Sequence, residues 1–219
     1  MQRLALFDLD NTLIDRDAAF AAWLDEFVTE HRLDGAARTW LVHADSLNTG
    51  PMDGFFRRAR LEFGLAPSAE DLWSRFRQRM PELARCRPPD LAALGELRAA
   101  GWKTAIVTNG MTDNQRGKIH RTGLAALVDT WCISDEVGIR KPDPAIFRLA
   151  AQRCGTTLDR GGWTIGDSST HDIAGGRGAG LGTIWIRRDR TWPDDRPAPD
   201  HEVDDVAEAV RILLGRSGA

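Results

Sequence analysis

Short apolar runs alternate with helical patterns along the second half of the chain, and this alternation restricts the fold more than any other feature. The runs are predicted to be strands at residues 103–108, 131–134, 163–165 and 182–186. Helical patterns lie before, between and after them, at 90–100, 113–122, 144–154, 170–179 and 202–214. Because strands that alternate with helices form right-handed βαβ units, the sequence predicts a parallel sheet. The expected fold class is α/β, with a Rossmann-like three-layer core and a mainly parallel sheet.

A helical block interrupts this pattern directly after its first strand, which is predicted at residues 4–9. A helix with one apolar face is predicted after Asp17. Further helices are predicted at about 36–46, 53–63 and 69–79, and a turn is predicted at 48–51. We therefore expect an inserted all-helical cap domain at 16–87. The α/β core domain would comprise 1–15 and 88–219.

Composition excludes several classes of protein. The 219 residues carry a net charge of −3, with a pI near 6.0, so no basic field favours a nucleic acid polymer. Three scattered cysteines indicate neither a disulfide framework nor a zinc site, and they suit a reducing compartment. Neither a signal peptide nor an apolar run long enough to cross a membrane is evident. We expect a cytoplasmic monomer or homodimer.

Polar residues cluster at the predicted carboxyl ends of the strands, where open α/β sheets bind ligands. Four segments contribute, namely Asp8-Leu9-Asp10-Asn11-Thr12, Thr108-Asn109-Gly110, Arg140-Lys141-Pro142, and Gly166-Asp167-Ser168 with Asp172. Several carboxylates at one edge need a cation and a lysine to balance them. Oxygen ligands suit Mg²⁺, which also binds substrate phosphate. The sequence thus predicts a magnesium site that takes a phosphate monoester.

Two of these carboxylates have the spacing for a divided catalytic role. Asp8 and Asp10 are two apart on an extended chain, so both side chains can lie on one side of the strand end. One can attack phosphorus and form an aspartyl-phosphate, while the other donates a proton to the leaving oxygen and later accepts one from water. Lys141 stands out because the chain has only two other lysines, Lys103 and Lys118.

The segment Phe-Asp-Leu-Asp-Asn-Thr-Leu resembles the first motif of the haloacid dehalogenase (HAD) superfamily. The second, third and fourth motifs are matched in order by Thr108-Asn109, by Lys141-Pro142-Asp143-Pro144 with Phe147, and by Gly166-Asp167-Ser168 with Asp172. The sequence around motifs two and three is similar to that of 5′-nucleotidases and N-acylneuraminate-9-phosphatases. The resemblance covers essentially the whole chain and implies a C1-type helical cap that closes over the site.

The resemblance also implies a role for each matching residue. Asp8 would be the nucleophile and a metal ligand, and Asp10 the general acid and base, with its backbone carbonyl on Mg²⁺. Asp167 would be a further metal ligand, and Asp172 and Ser168 would support the site. The catalytic set would be completed by Thr108 and Lys141. Phosphate would be bound by Asp8, Leu9, Asp10, Thr108, Asn109, Gly110 and Lys141.

Each signal also has a purely structural interpretation. Asp8 and Asp10 are residues typical of turns, Thr108 is typical of a strand, and Asp172 could begin a helix. His171 is more readily a capping residue than a site residue. All four motifs in order favour the functional interpretation.

Hydrolysis of a small-molecule phosphate monoester, of the nucleotide or sugar phosphate class, is the leading hypothesis. A phosphomutase of the β-phosphoglucomutase type, a haloacid dehalogenase and a non-catalytic binding protein of this fold remain as alternatives. A dehalogenase needs no acid for an alkoxide and typically lacks a carboxylate at the position of Asp10.

Overall fold

A computed structural model describes residues 2–48, 52–193 and 195–215. The chain divides into two compact units, an α/β unit of Met1–Asp15 with Arg85–Ala219 and a helical unit of Arg16–Ala84. The sequence pattern places the second boundary at 87/88, three residues later. The backbone N–H of Asp15 donates to the carbonyl of Arg85 at 3.2 Å, which ties Arg85 to the α/β unit.

The α/β unit is built on a six-stranded sheet in the order β3-β2-β1-β4-β5-β6. All five strand pairs are parallel. The strands are β1 Leu4–Phe7, β2 Lys103–Thr108, β3 Thr130–Ile133, β4 Trp163–Gly166, β5 Gly182–Ile186 and β6 His201–Val203. The predicted α/β class with a Rossmann-like parallel sheet is confirmed. The order reverses at β1, so the ends of β1, β2 and β4 lie side by side at the switch point.

Helices surround this sheet. They are α5 Pro88–Ala99, α6 Thr112–Arg121, α7 Ser134–Val137, α8 Pro144–Arg153, α9 Gly175–Gly178 and α10 Val206–Leu213, with a π-helix at Ser169–Ala174 and 3₁₀ turns at Leu124–Ala126 and Leu158–Arg160. Strand β1 is buried along its whole length. Leu4 and Leu6 pack with α8, whereas Ala5 and Phe7 alternate onto the opposite face and are equally buried. Burial of both faces explains why this strand reads as a continuous apolar run.

The helical unit comprises α1 Arg16–Glu30, α2 Gly35–Ser46, α3 Met52–Phe63 and α4 Ala69–Leu83. Its core is rich in aromatic side chains, including Phe20, Trp23, Phe27, Phe55, Phe56 and Phe76. Asp34 caps α2 and Ser68 caps α4, because each side chain accepts a hydrogen bond from a backbone N–H of the first turn. The predicted turn at 48–51 falls partly on Thr49–Pro51, outside the described residues. Within the described part of the chain, no helix is both long and apolar enough to cross a bilayer.

Two predicted helices were wrong in detail. The helix predicted at 202–214 begins only at Val206, with Asp205 as its N-cap, and His201–Val203 forms strand β6 beside β5. The valines at 203 and 206 are three residues apart. This spacing fits one continuous helix as well as it fits a strand followed by a helix. The helix predicted at 170–179 is a π-helix that continues into the short α9.

Candidate active site

Adjacent strands bring Asp8 and Asp167 together. Strand β1 ends at Phe7 and the next residue is Asp8, whose backbone N–H donates to Ile165 of β4 at 2.8 Å. Asp167 follows the last residue of β4. Because β1 and β4 are parallel neighbours, both carboxylates emerge at the same edge of the sheet.

A buried lysine joins two carboxylates at this edge. Lys141 Nζ lies 2.6 Å from Asp8 Oδ1 and 2.6 Å from Asp172 Oδ1. All three residues are at least nine-tenths buried. The other oxygen of Asp172 accepts the backbone N–H of Ser168 at 2.9 Å. Attraction to Asp172 and Asp8 outweighs the cost of burial and raises the pKa of Lys141, so its ammonium stays charged.

The carboxylates of Asp8, Asp167 and Asp172 each offer an oxygen within 4.8 Å of the others. Burial raises the pKa of Asp8 well above its usual range, and the negative charges of Asp172 and Asp167 add to this against the pull of Lys141. Burial and Asp172 likewise raise the pKa of Asp167 to about 6, although Arg190 pairs with it at 2.9 Å from a more exposed position. When all three carboxylates are ionised, their negative charge exceeds the positive charge of Lys141 and Arg190. The all-oxygen donor set and this excess fit a hard divalent cation.

Glycines allow the fourth motif to pack this closely. A Cβ at Gly166 would overlap the Asp172 carboxyl group, and one at Gly175 would press against Pro142 at 3.0 Å. The π-helix at Ser169–Ala174 carries Asp172 on this turn, and π-helical turns are often found at functional sites. Gly166 and Gly175 thus allow close packing around Asp172 and the loop that carries Lys141.

Asn109 fixes the loop that carries Lys141. Its side-chain oxygen accepts the backbone N–H of Lys141 at 2.9 Å, and its amide nitrogen donates to the Lys141 carbonyl at 3.0 Å. This two-point contact holds the second and third motifs in register. The predicted role of Asn109 concerned its backbone and phosphate, so this function of its side chain was not anticipated.

Asp10 lies outside the Lys141 cluster and has partners of its own. Lys118 Nζ lies 2.8 and 3.0 Å from its two carboxylate oxygens, and Gln115 Nε2 donates to it at 2.9 Å. The same Gln115 nitrogen donates to Thr108 Oγ1 at 2.7 Å. The two aspartates of the first motif are thus each paired with a separate buried lysine.

Comparison with known proteins identifies the family. A model of the haloacid dehalogenase-like hydrolases matches residues 2–180. This chain belongs to that family. A phosphoserine phosphatase of Thermus thermophilus is 38% identical over 70% of this chain and 61% of its own length. The pyrimidine 5′-nucleotidase YjjG of Escherichia coli is 30% identical over 76% of this chain and 71% of its own length. Relatives of similar identity also include a protein named as a haloacid dehalogenase.

A solved structure supports the fold of this HAD-like hydrolase. The HAD-hydrolase YfnB of Bacillus subtilis, whose structure was determined bound to magnesium, has a TM-score of 0.79 and 24% identity, and the match covers 97% of this chain and 99% of YfnB. The family resemblance drawn from the four motifs is confirmed. The chain spans 61% of the length of the phosphoserine phosphatase that it matches.

The remaining predicted site residues of this HAD-like hydrolase occupy defined positions. Thr108 is buried at the end of β2, and Leu9 is buried two residues beyond the end of β1. The backbone N–H of Gly110 is already engaged by Ser134 Oγ at 3.0 Å. Ser168 caps the π-helix and lies 3.3 Å from His171 Nδ1. His171 thus lies beside the N-cap residue of the π-helix, and burial lowers the pKa of its imidazole.

Sequence reasoning missed Gln115, Lys118 and Arg190. Gln115 and Lys118 lie three residues apart on α6, which places them on one helix face. The scarcity of lysine was the available signal, because two of the three lysines in the chain lie at this site. Arg190 follows β5 in a loop without any pattern, and nothing in the sequence distinguishes it from the many other arginines.

Proposed function

We propose that this HAD-like hydrolase is a magnesium-dependent phosphatase that hydrolyses a small-molecule phosphate monoester through an aspartyl-phosphate on Asp8. The observation that carries the proposal is that the two aspartates of the first motif contact different buried lysines. Asp8 shares the buried Lys141 with Asp172, whereas Asp10 is held by Lys118 and Gln115. Separate partners hold the two carboxyl groups apart, which allows each of them to take a different role.

In the first half-reaction, a carboxylate oxygen of Asp8 attacks phosphorus and the bond from phosphorus to the ester oxygen breaks. Asp10 gives its proton to the departing alkoxide, which leaves as an alcohol. Lys141 stabilises the charge that spreads over the transferring phosphoryl group. Its 2.6 Å contact with Asp8 also holds the nucleophile in one orientation.

In the second half-reaction, water attacks the aspartyl-phosphate and gives its proton to Asp10. The bond from phosphorus to the Asp8 oxygen breaks, which releases inorganic phosphate and restores both carboxyl groups to their starting states. Thr108 and the backbone near Asn109 are the proposed phosphate contacts. Because Gly110 N–H is occupied by Ser134, we give it a supporting position in this set.

The proposed metal is Mg²⁺, held by the carboxylates of Asp8 and Asp167 and the backbone carbonyl of Asp10. Such an ion would neutralise charge on the phosphate oxygens. Two considerations support it, namely the excess negative charge of the carboxylate cluster and the magnesium named for YfnB. Asp172 would act through Lys141 and Ser168.

For the substrate we propose a nucleotide or sugar phosphate, or another small phosphate ester. The named activities of the phosphoserine phosphatase and of YjjG support small monoesters as the class. The helical unit at 16–84 is proposed as the cap domain that selects among them. The scattered cysteines favour a cytoplasmic location.

The test is release of inorganic phosphate from nucleoside monophosphates, sugar phosphates, phosphoserine and p-nitrophenyl phosphate, with Mg²⁺ or with EDTA. We expect turnover that requires Mg²⁺, and the rank order of kcat/KM would name the substrate class. Product analysis with a sugar phosphate separates hydrolysis from phosphoryl migration by a mutase. A parallel assay of halide release from a 2-haloacid tests the dehalogenase alternative, which the dedicated partners of Asp10 disfavour.

Asp8→Asn should abolish this turnover, because an amide is a poor nucleophile. Asp159→Asn is the matched control, since Asp159 is an exposed residue of the 3₁₀ turn before β4 and should retain the parent rate. An Asp8→Asn protein with the parental rate would refute the mechanism. Halide release without phosphate release would assign the chain to the dehalogenases instead.

A further inference from the structure

Lys118 is a buried cation committed to one carboxylate. Its side chain extends from α6, and the residue is only 3% exposed. Its ammonium group contacts both oxygens of Asp10, at 2.8 and 3.0 Å, and Gln115 Oε1 at 2.8 Å. An ammonium group is costly to bury without a charged partner, so Lys118 and Asp10 depend on each other.

Gln115 completes the arrangement with both ends of its amide. The oxygen accepts from Lys118, while the nitrogen donates to Asp10 at 2.9 Å and to Thr108 at 2.7 Å. The residue is 1% exposed. The Asp10 carboxylate is therefore held at three points from one face of α6, which restricts its rotation.

Gly110 provides the space for this contact. A Cβ at that position would lie 2.9 Å from the Cδ and Cγ atoms of Gln115, closer than such atoms approach. Its backbone φ of +155° is also one that side chains rarely adopt. The glycine of the second motif thus allows Gln115 to reach Asp10.

From this geometry we infer that Lys118 and Gln115 are positioning residues, which hold the Asp10 carboxyl group in the orientation that serves the leaving-group oxygen. The inference rests on the proposed function, because it assigns Asp10 the proton transfer described above.

The test compares two classes of ester in a Lys118→Met variant, which keeps chain length and removes the charge. An alkyl phosphate needs a proton on its leaving oxygen, whereas p-nitrophenolate leaves without one. We expect kcat/KM to fall by about 10- to 100-fold for the alkyl ester and by less than about threefold for p-nitrophenyl phosphate. The ratio kcat/KM is the appropriate measure, because it ends with departure of the leaving group and excludes the later hydrolysis of the aspartyl-phosphate.

Lys103→Met is the matched control, because Lys103 is an exposed lysine at the start of β2 that pairs with Asp129 at 3.3 Å. It should leave both esters unaffected. Gln115→Met removes the second contact without burying an unpaired charge, and it should show the same selective loss, to a smaller degree. It keeps the inference testable if Lys118→Met does not fold.

An equal loss for both esters, or no loss for either, would overturn the inference. A crystal structure of the Gln115→Met or Lys118→Met protein supplies a readout independent of turnover. We expect the Asp10 carboxylate to leave its parental rotamer, and an unchanged rotamer would overturn the positioning role. If the parent protein hydrolysed no ester, the proposed function would fail while this structural result still decided whether α6 orients Asp10.

Discussion

At the scale of single residues, Gly166 shows how closely the buried charged groups of the candidate site are packed. It ends β4, and a methyl group there would occupy the position of the Asp172 carboxyl group. Asp172 in turn holds Lys141, which contacts Asp8. A substitution at this glycine should therefore disturb Asp8, the proposed nucleophile, through two intermediate side chains.

Gly166→Ala should lower kcat/KM by about 100-fold, because displacement of Asp172 would move the Lys141 ammonium away from Asp8 by a substantial fraction of an ångström. The measurement is steady-state phosphate release, with a thermal melt to show that the protein is folded. Gly95→Ala is the control, since a methyl group at that position of α5 would have no neighbouring atom within 4 Å. Parental activity in Gly166→Ala would show that Asp172 is not needed to place Lys141.

The raised carboxyl pKa values predict a dependence of metal binding on pH. Between about pH 4 and about pH 6, the folded protein keeps a proton on Asp167 that the unfolded chain has lost. Rising pH through this window therefore lowers the free energy of unfolding. A divalent cation requires the deprotonated carboxylates, so it should offset this loss only above the window.

We accordingly expect saturating Mg²⁺ to raise Tm little at about pH 5 and clearly more at about pH 7.5. Differential scanning calorimetry at both pH values, with and without Mg²⁺, measures this. Asp167→Asn should remove most of the increase at the higher pH. An increase in Tm of equal size at both pH values would contradict the assignment of these carboxylates as ligands.

At the scale of helices and strands, the elements that could be predicted were those whose apolar residues form a clear pattern in the sequence. Strand β1 is buried on both faces and leaves an uninterrupted apolar run in the sequence, and β2 is buried from its second residue onwards around a shorter apolar run, Ala105-Ile106-Val107. Strand β6 leaves no such run, because His201 and Glu202 are exposed and only Val203 is buried. Its pairing with β5 is a long-range contact, which local periodicity cannot express.

The residues of the candidate site likewise divide into those that the sequence pattern indicates and those that it does not. Residues that follow strands directly, such as Asp8 and Asp167, could be found because the end of a strand marks the ligand edge. Lys118 and Gln115 lie within a strongly polar helix, where a residue facing inward cannot be told from one facing solvent. Their contact with Asp10 spans more than 100 positions in the chain, and only the folded sheet brings them together.

The helix cap at Ser68 gives a prediction for α4. Its Oγ accepts the backbone N–H of Asp71 at 3.0 Å, so Ser68→Ala should lower the free energy of unfolding of the helical unit by about 1 kcal/mol. Hydrogen exchange of peptides from the helical unit, followed by mass spectrometry at increasing denaturant concentration, measures this change separately from the α/β unit. Ser74→Ala, within the same helix, should change the stability by only a few tenths of a kcal/mol. Equal effects of the two substitutions would exclude a capping role.

At the scale of the whole molecule, the carboxylate cluster and the aromatic core of the helical insert lie in different units. The three clustered carboxylates all belong to the α/β unit. The aromatic cluster around Trp23 and Phe56 belongs to the helical unit alone. Ligand binding at the carboxylates should therefore stabilise one unit more than the other.

Hydrogen exchange can resolve this difference. Addition of Mg²⁺ should slow exchange of backbone amides around Asp8, Lys141 and Ser168, while amides within α1 to α4 keep their rates. Mass spectrometry of peptides from the two units provides the measurement, and Asp167→Asn protein provides the control. Slower exchange confined to the helical unit would place the cation elsewhere.

The backbone hydrogen bond from Asp15 to Arg85 brings the two ends of the insert side by side. A segment whose ends meet can be exchanged for another of different length without stretching the sheet to which it is joined. Residues 16–84 could thus be replaced by the corresponding segment of a relative, with the junction left at this bond. On the proposal that the helical unit selects the substrate, such chimaeras would differ in substrate preference while they share one α/β unit, and the fold gives the boundary for each graft.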